Sequence, residues 1–452
     1  MGTEPAVLDL DINAQQDQLT EVATIVLAEA RREGAHAAEV AVSADMGLST
    51  TVRKGDVETV EFNRDRGIGI TVYFGQRRGS ASTSDTGLQA LKDTVKAACQ
   101  IAKYTSEDTF AGLADLSLMA KNEVDLDLYH PWDIDTAAAI ELAKNSEEVA
   151  YAQSKLITNS EGATVNSHQG CRVYGNSHGF IGRKASTRHS ISCVAIAEQA
   201  GDMQRDYWYS VARDASDLEL AETVGKKAAA RTIERLNPQK VKTGKYPVVF
   251  SAEIAGGLLS HFMGAISGGS LYRKASFLLD QLGQPIFPAG VQIYEQPYLE
   301  KGLASAYYDS DGVATRNNFF VQDGVLNSYV LGTYSARKLG MDTTANAGGV
   351  HNLFVSTGDK NLKGLCEEMG TGLLVTELMG QGVNIVTGDY SRGASGFWVE
   401  NGEIKYPVSE ITVAGNLSDI YKNIVEIGED IDLRSSVRTG SILVESMTVA
   451  GE

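Results

Sequence analysis

The chain has 452 residues, enough for two or three domains and a large core. Its 40 Lys and Arg stand against 58 Asp and Glu, a formal charge of −18, which withholds the electrostatic footprint needed for non-specific binding to nucleic acid or an anionic membrane. The opening residues, MGTEPAVLDLDINAQQ, hold neither a basic nor an apolar stretch, and no run approaches the ~18 apolar residues of a membrane span, so neither leader nor anchor is expected.

Residues 15–32 read as an amphipathic helix with Leu19, Val22, Val26 and Ala30 on one face and Gly34 as its stop. Strands are expected over 37–42, 49–53, 57–63 and 67–74, with Gly75–Gly79 turning into 80–84. A helix over 88–104 then places Leu91, Val95, Ala98 and Ala102 inward. An acidic linker covers 107–127. Pro131 precedes a helix over 136–152, capped by Asp133 or Asp135. Strands between 157 and 197, a hairpin at Gly201-Asp202 into 207–211, and an Ala-, Lys- and Glu-rich helix over 217–236 complete a second unit. Asn237–Gly244 (NPQKVKTG) reads as a boundary.

From Lys245 the pattern changes. A strand over 246–251 becomes an apolar helix at about Glu253, followed by two glycine breaks and a second amphipathic segment from about Tyr272. Strands are then expected over 291–294, 314–321, 325–331, 372–379, 383–388, 396–400 and 403–408, with hairpin turns at Asp323-Gly324 and Asn401-Gly402. The 46 glycines against 8 prolines fit an extensive sheet with tight turns. The fold class is therefore α+β: N-terminal α/β modules over 1–110 and 125–236, then a large, curved or barrel-like antiparallel β domain over 244–452.

Four short patterns invite chemistry. Tyr334 and Lys338 have the spacing of a Tyr-Lys proton-transfer pair, and Ser335 with Lys338 spells SxxK. The first lacks a glycine-rich nucleotide loop and the second its partner motifs, so a solvated helix end is the simpler reading. Ser391–Gly396 (SRGASG) is not a nucleophile elbow. His168, Cys171, His178 and His189 supply imidazole and thiolate, but not at the spacing of a compact zinc module. The four cysteines (Cys99, Cys171, Cys193, Cys366) show no CxxC and read as reduced thiols of a cytoplasmic protein. The helix after residue 251 is where a metallopeptidase keeps its ligands. It offers a single imidazole, His261, among Leu, Phe, Met and Ala, where hydrolytic zinc needs two or three donors and a general base.

Long stretches carry a resemblance: VETVEFNRDRGIGITVYFGQRRGSAS, NSHQGCRVYGNSHG, GAISGGSLYRKASFLLD, TYSARKLG and EMGTGLLVTELMGQGVNIVTGDYSRGASGFWVENGEIKYPVSEITVAGN. With these the chain resembles the TldD/PmbA family, nearest its PmbA branch, also called TldE. The resemblance implies a cytoplasmic, heterodimeric metallopeptidase of one TldD-type and one PmbA-type subunit, linked to microcin maturation, antitoxin degradation and modulation of DNA gyrase. In the TldD-type subunit an HExxxH helix and a later Cys hold the metal. Its two His lie about 140° apart on an ideal helix, so the motif needs a widened turn.

Carried onto this chain, the HExxxH positions fall on Ser260, His261 and Ala265 and the Cys position on Thr439. The resemblance thus implies a catalytically silent chain with no cofactor of its own. Zinc is expected in the TldD-type partner, unfolded peptides are the expected substrates, and a homodimer is expected when the chain is alone. An extended peptide is expected to add as a strand at Thr376, Glu377, Leu378, Met379 and Gly380. Two alternatives stay open: an independent metallopeptidase using His168, Cys171, His178 and His189, and a non-enzymatic protein acting on gyrase through its acidic surface. Direct contact with nucleic acid or membrane is not expected.

Overall fold

The apolar alternation that reads as four short strands near the start of the chain is carried by two long ones. In the computed structural model, which describes residues 11–451, α1 (Ile12–Arg32) is followed by β1 (Ala37–Arg53), β2 (Asp56–Phe74), β3 (Arg77–Thr83) and α2 (Leu88–Tyr104). Residues 1–10, which carry most of the leader reading, lie outside the described residues. The expected break at 43–48 does not occur. β1 pairs with β2 on one side and, on the other, with β4 (Ile157–Asn176), over Glu39↔Asn176 to Val52↔Ala163. Two full ladders override the turn-like composition of Ser43–Gly47.

The second unit adds α3 (Thr136–Gln153) before β4, then β5 (Ile181–Gln199), β6 (Asp202–Ala212) and α4 (Ala221–Glu234). Asp135 caps α3, accepting from the Ala138 N–H. The six strands form one curled sheet in the order β3-β2-β1-β4-β5-β6. All four helices pack on the face that presents Val40, Val42, Ala44, Leu48 and Val52. The opposite face, with Ala41, Ser43, Arg172 and Tyr174, carries none of them.

The rest of the chain comprises β7 (Gly244–Phe250), α5 (Ala252–Ala265), α6 (Gly268–Tyr272), β8 (Ile293–Glu295), β9 (Asn318–Gln322), β10 (Val325–Leu326), α7 (Thr333–Leu339), β11 (Leu353–Val355), α8 (Leu362–Met369) and β12 (Gly372–Met379). It ends with β13 (Val383–Asn384), β14 (Asp389–Glu400), β15 (Glu403–Asn416), α9 (Leu417–Lys422), β16 (Ile424–Ile427), β17 (Val437–Arg438) and β18 (Ile442–Ala450). The pairings β12-β7-β18-β15-β14 return from β14 to β12, closing a five-stranded barrel. Most of its pairs are antiparallel, as expected, but β7 and β12 run parallel. Val248 and Phe250 of β7 face the main core with Leu258 and Phe262 of α5, while Val249 faces the smaller cluster under α8. Burying each such side chain contributes about 1.5–3 kcal/mol.

Two expectations fail locally. The segment expected to begin near Tyr272 instead ends there: Ser267 caps α6 by accepting from the Ser270 N–H, and Lys274 turns the chain at φ 57°. The strand expected over 325–331 stops at Leu326, because Val330 leaves the sheet to bridge Ser267.

Candidate functional site

Helix α5 starts where β7 leaves the barrel; the Ser251 N–H still reaches the Val375 carbonyl at 3.0 Å. Ala255, Leu258, Leu259, Phe262, Met263 and Ala265 enter the core. The other face, at helical spacing, is Glu253, Gly256, Gly257, Ser260, His261 and Gly264. A methyl group at Gly257 or Gly264 would meet nothing within 4 Å, so this face is open.

Ser260 is exposed, and its hydroxyl donates to the Gly256 carbonyl at 2.9 Å. His261 is half-buried, edge-on to Tyr390 with ring centroids 6.1 Å apart. Burial, and then the Arg392 charge, push its imidazole below the ordinary value. Ala265 is fully buried. Thr439 is fully buried too, donating to the Gly440 carbonyl at 3.0 Å. Its segment runs beside the first turns of α5: Ser441 Oγ accepts from the Ala252 N–H at 3.0 Å, and Val437 lies against Gly256. A spent hydroxyl, one imidazole turned to an aromatic ring and two side chains sunk in the core do not fit a hydrolytic metal ion.

The second ligand set does not converge. His168 lies on the open face of the sheet, 3.5 Å from Asp45. Cys171 and His189 point to the helix face, and His178 sits in the turn between β4 and β5. Burial pushes the Cys171 thiol up to about 12, away from thiolate. His189 is packed edge-on against Trp132 and holds the His130 carbonyl at 2.8 Å. Among the described residues no three His, Cys, Asp or Glu side chains are grouped to hold a metal. All four cysteines are free and buried. The Tyr334 hydroxyl donates to Asp108 at 2.6 Å, Lys338 lies 3.7 Å from the same carboxylate, and Ser335 Oγ bonds its own helix at the Gly332 carbonyl. Tyr334 and Lys338 thus tie Asp108 to α7, while the Ser335 bond stays within the helix.

The end of β12 borders the open face of α5. Parallel pairing with β7 covers Leu373 to Val375 and stops where β7 gives way to α5. Pairing with β14 continues to Met379, with a register slip between Val375 and Glu377. Residues 376–379 therefore have a strand neighbour on one side only among the described residues. The Glu377 carboxylate pairs with Arg235, which also meets Asp206 at 3.2 Å. The Arg392 Nε–H donates to the Met379 carbonyl at 3.0 Å, and Met379 and Gly380 are exposed.

A charged and aromatic layer that spacing in the sequence could not reveal lies over the first turn of α5. Arg231 Nη1 is 2.7 Å and Arg434 Nη2 3.6 Å from Glu253 Oε1, and the Arg434 guanidinium stacks 3.8 Å from the Trp208 ring. Burial first, then Glu253 and Asp206, push the Tyr207 phenol up. The parts come from α4, β6, α5 and the 430s, so only the tertiary fold collects them. The arrangement offers an open helix face, a strand end paired on one side and fixed charges.

Comparison with known proteins agrees along the whole length. Three domain models match: PmbA/TldA metallopeptidase domain 1 over 38–102, the central domain over 129–236 and the C-terminal domain over 243–451. The chain is 52% identical over 443 residues to a protein of Escherichia coli O157:H7 named Metalloprotease PmbA, covering 98% of each. It is 49% identical to the Metalloprotease PmbA homolog of Haemophilus influenzae, covering 97% of this chain and 98% of that one. The same organism carries a Metalloprotease TldD homolog, 22% identical over 410 residues, with 85% and 84% covered. A crystal structure from Bacteroides thetaiotaomicron, named as a modulator of DNA gyrase, superposes with a TM-score of 0.91 at 32% identity, covering 96% and 99%.

Proposed function

From the premise that the chain belongs to the PmbA/TldD metallopeptidase family, we propose that it is the metal-free subunit of a two-subunit cytoplasmic peptidase acting on unfolded peptides. The observation that carries this reading is the chemistry of α5. At the three positions aligned with the family's catalytic motif it presents a hydroxyl bonded within the helix, an imidazole against Tyr390 and a buried methyl. In this reading the TldD-type partner supplies the zinc and this chain shapes the chamber. The presence of both a PmbA homolog and a TldD homolog in Haemophilus influenzae supports the pairing.

Two open edges support the roles. Residues 376–379 could accept an extended peptide, whose main chain would pair while its side chains stay unread, the economy a peptidase of varied substrates needs. In the six-stranded sheet β2 is paired with β3 only from Ile68 onward, so residues 56–66 form a long edge on which Val57, Val60 and Phe62 are exposed. Such an edge is seldom left uncovered in solution, and it is our candidate seat for the second subunit or, with the chain alone, for a second copy.

The test is peptidase activity on an unstructured peptide together with metal content, for the chain alone and mixed with a TldD-type subunit. The expected result is an inert, metal-free chain and an active mixture. Cleavage by the chain alone with stoichiometric metal would overturn the reading.

A further inference from the structure

The face of the six-stranded sheet that carries no helices holds a cavity of about 730 Å³ against the C-terminal domain. Cross-strand register fixes its floor. Ser82, Gly69, Ala41, Tyr174 and Gly182 form one row across five strands, and Gly67, Ser43, Arg172 and Lys184 form the next. The floor is low because its centre is glycine, alanine and serine: a methyl at Gly69 would touch nothing within 4 Å. The wall is aromatic. Tyr308 closes over Gly182, where any Cβ would strike its ring at 2.5 Å, and it packs beside Tyr174.

The charge of this cavity opposes that of the molecule. Lys184 is held at its base, with Nζ donating to the Tyr308 carbonyl at 2.7 Å and 3.6 Å from the centre of the Tyr308 ring. It makes no ion pair among the described residues. Arg172 is largely exposed and touches only Asp45, at 3.5 Å. The one carboxylate in the lining, Asp309, is occupied by the N–H groups of Asp311 and Val313 at 2.9 Å and of Ala347 at 3.0 Å. Two cations thus face one committed anion, in a chain whose net charge is −18. Concentrating positive charge in a concave site of an acidic protein selects for negative groups.

We propose that this cavity binds an acidic peptide segment, its carboxylates meeting Arg172 and Lys184 and its backbone lying over the Gly67–Gly69 floor. The proposal rests on the peptide-handling reading above and adds a substrate class to it. The hydroxyls of Ser43 and Ser82 supply hydrogen bonds, and the low floor admits a main chain that a sheet of larger side chains would hold off.

The experiment is fluorescence anisotropy on the full chain with a labelled, unstructured octapeptide rich in glutamate and its glutamine counterpart. The glutamate peptide should bind about tenfold tighter or more, and the preference should shrink in the exposed variant Arg172→Glu and vanish in the double variant Arg172→Glu, Lys184→Met. Equal binding of the two peptides, no binding of either, or a preference that survives charge reversal overturns the proposal. Full displacement by millimolar inorganic phosphate would make this a free-anion site and overturn the peptide assignment. The two readings fail separately: this binding needs no partner subunit, and cleavage of a neutral peptide by the two-subunit complex does not depend on these cations.

Discussion

Ala265 turns its methyl into the main core, where it is fully buried beside Phe262 and Met263. Rebuilding the HExxxH pattern by Ser260→His, His261→Glu and Ala265→His therefore should not restore a metal site. The imidazole at 265 has no room, and overpacking of this kind costs about 1–3 kcal/mol. A lowered melting temperature that zinc does not recover is the expected outcome; zinc-dependent recovery would show that the helix can rotate to present both imidazoles. Lys184 makes a second test at this scale. Burial lowers its amine to about 8, while burial first, and then Asp311, raise Asp309 to about 6. As pH rises, Asp309 gains its negative charge near 6 and Lys184 loses its positive charge near 8. Affinity for the glutamate peptide should thus fall in two steps between pH 5 and 9, while the glutamine peptide shows neither step.

Among the elements, β2 separates what pattern can reveal from what pairing decides. Its second half, Ile68, Ile70 and Val72, alternates cleanly and is buried. Its first half is exposed on both faces, yet it is a continuous part of the same strand because β1 pairs with it to the end. If residues 56–66 seat another subunit, Phe62→Lys with Val60→Lys should abolish that association in sedimentation and leave the melting temperature of the monomer within about 0.5 kcal/mol of unchanged stability, since neither side chain is in the core. An association constant that does not move would remove this edge from consideration. The helices missed from sequence, α8 and α9, have eight and six residues, too short for apolar periodicity to stand out. α7 ends on Gly340 at φ 66°, and Asn361 and Asn416 cap the other two, signals that become meaningful once the flanking strands are known.

At the scale of the molecule, the first two units share one sheet. Fourteen residue pairs join β1 to β4, and α1 packs against β1 together with Cys171 and Val173 of β4. A fragment of residues 125–236 alone would expose that edge and half of a core. It should lack a cooperative urea transition, whereas residues 11–236 should unfold in a single step. A cooperative, native-like 125–236 fragment would mean that α3 and α4 suffice to hold β4 to β6 without β1. The C-terminal barrel closes on itself through β12 and β14, so its strands need no partner from the first half.

The sequence by itself determined the long helices α1 to α4, the mixed α+β class, the family, and which donors stand on the helix after β7. Each follows from local information: side-chain period, turn residues, and the identity of donors at fixed spacing. Only the tertiary structure decided that His168, Cys171 and His189 divide between two faces of one sheet, that residues 376–379 lose their neighbour where β7 turns into α5, and that Arg172 and Lys184 meet over a glycine floor. Those facts depend on register between strands far apart in the chain, and a one-residue shift in register would reverse every face.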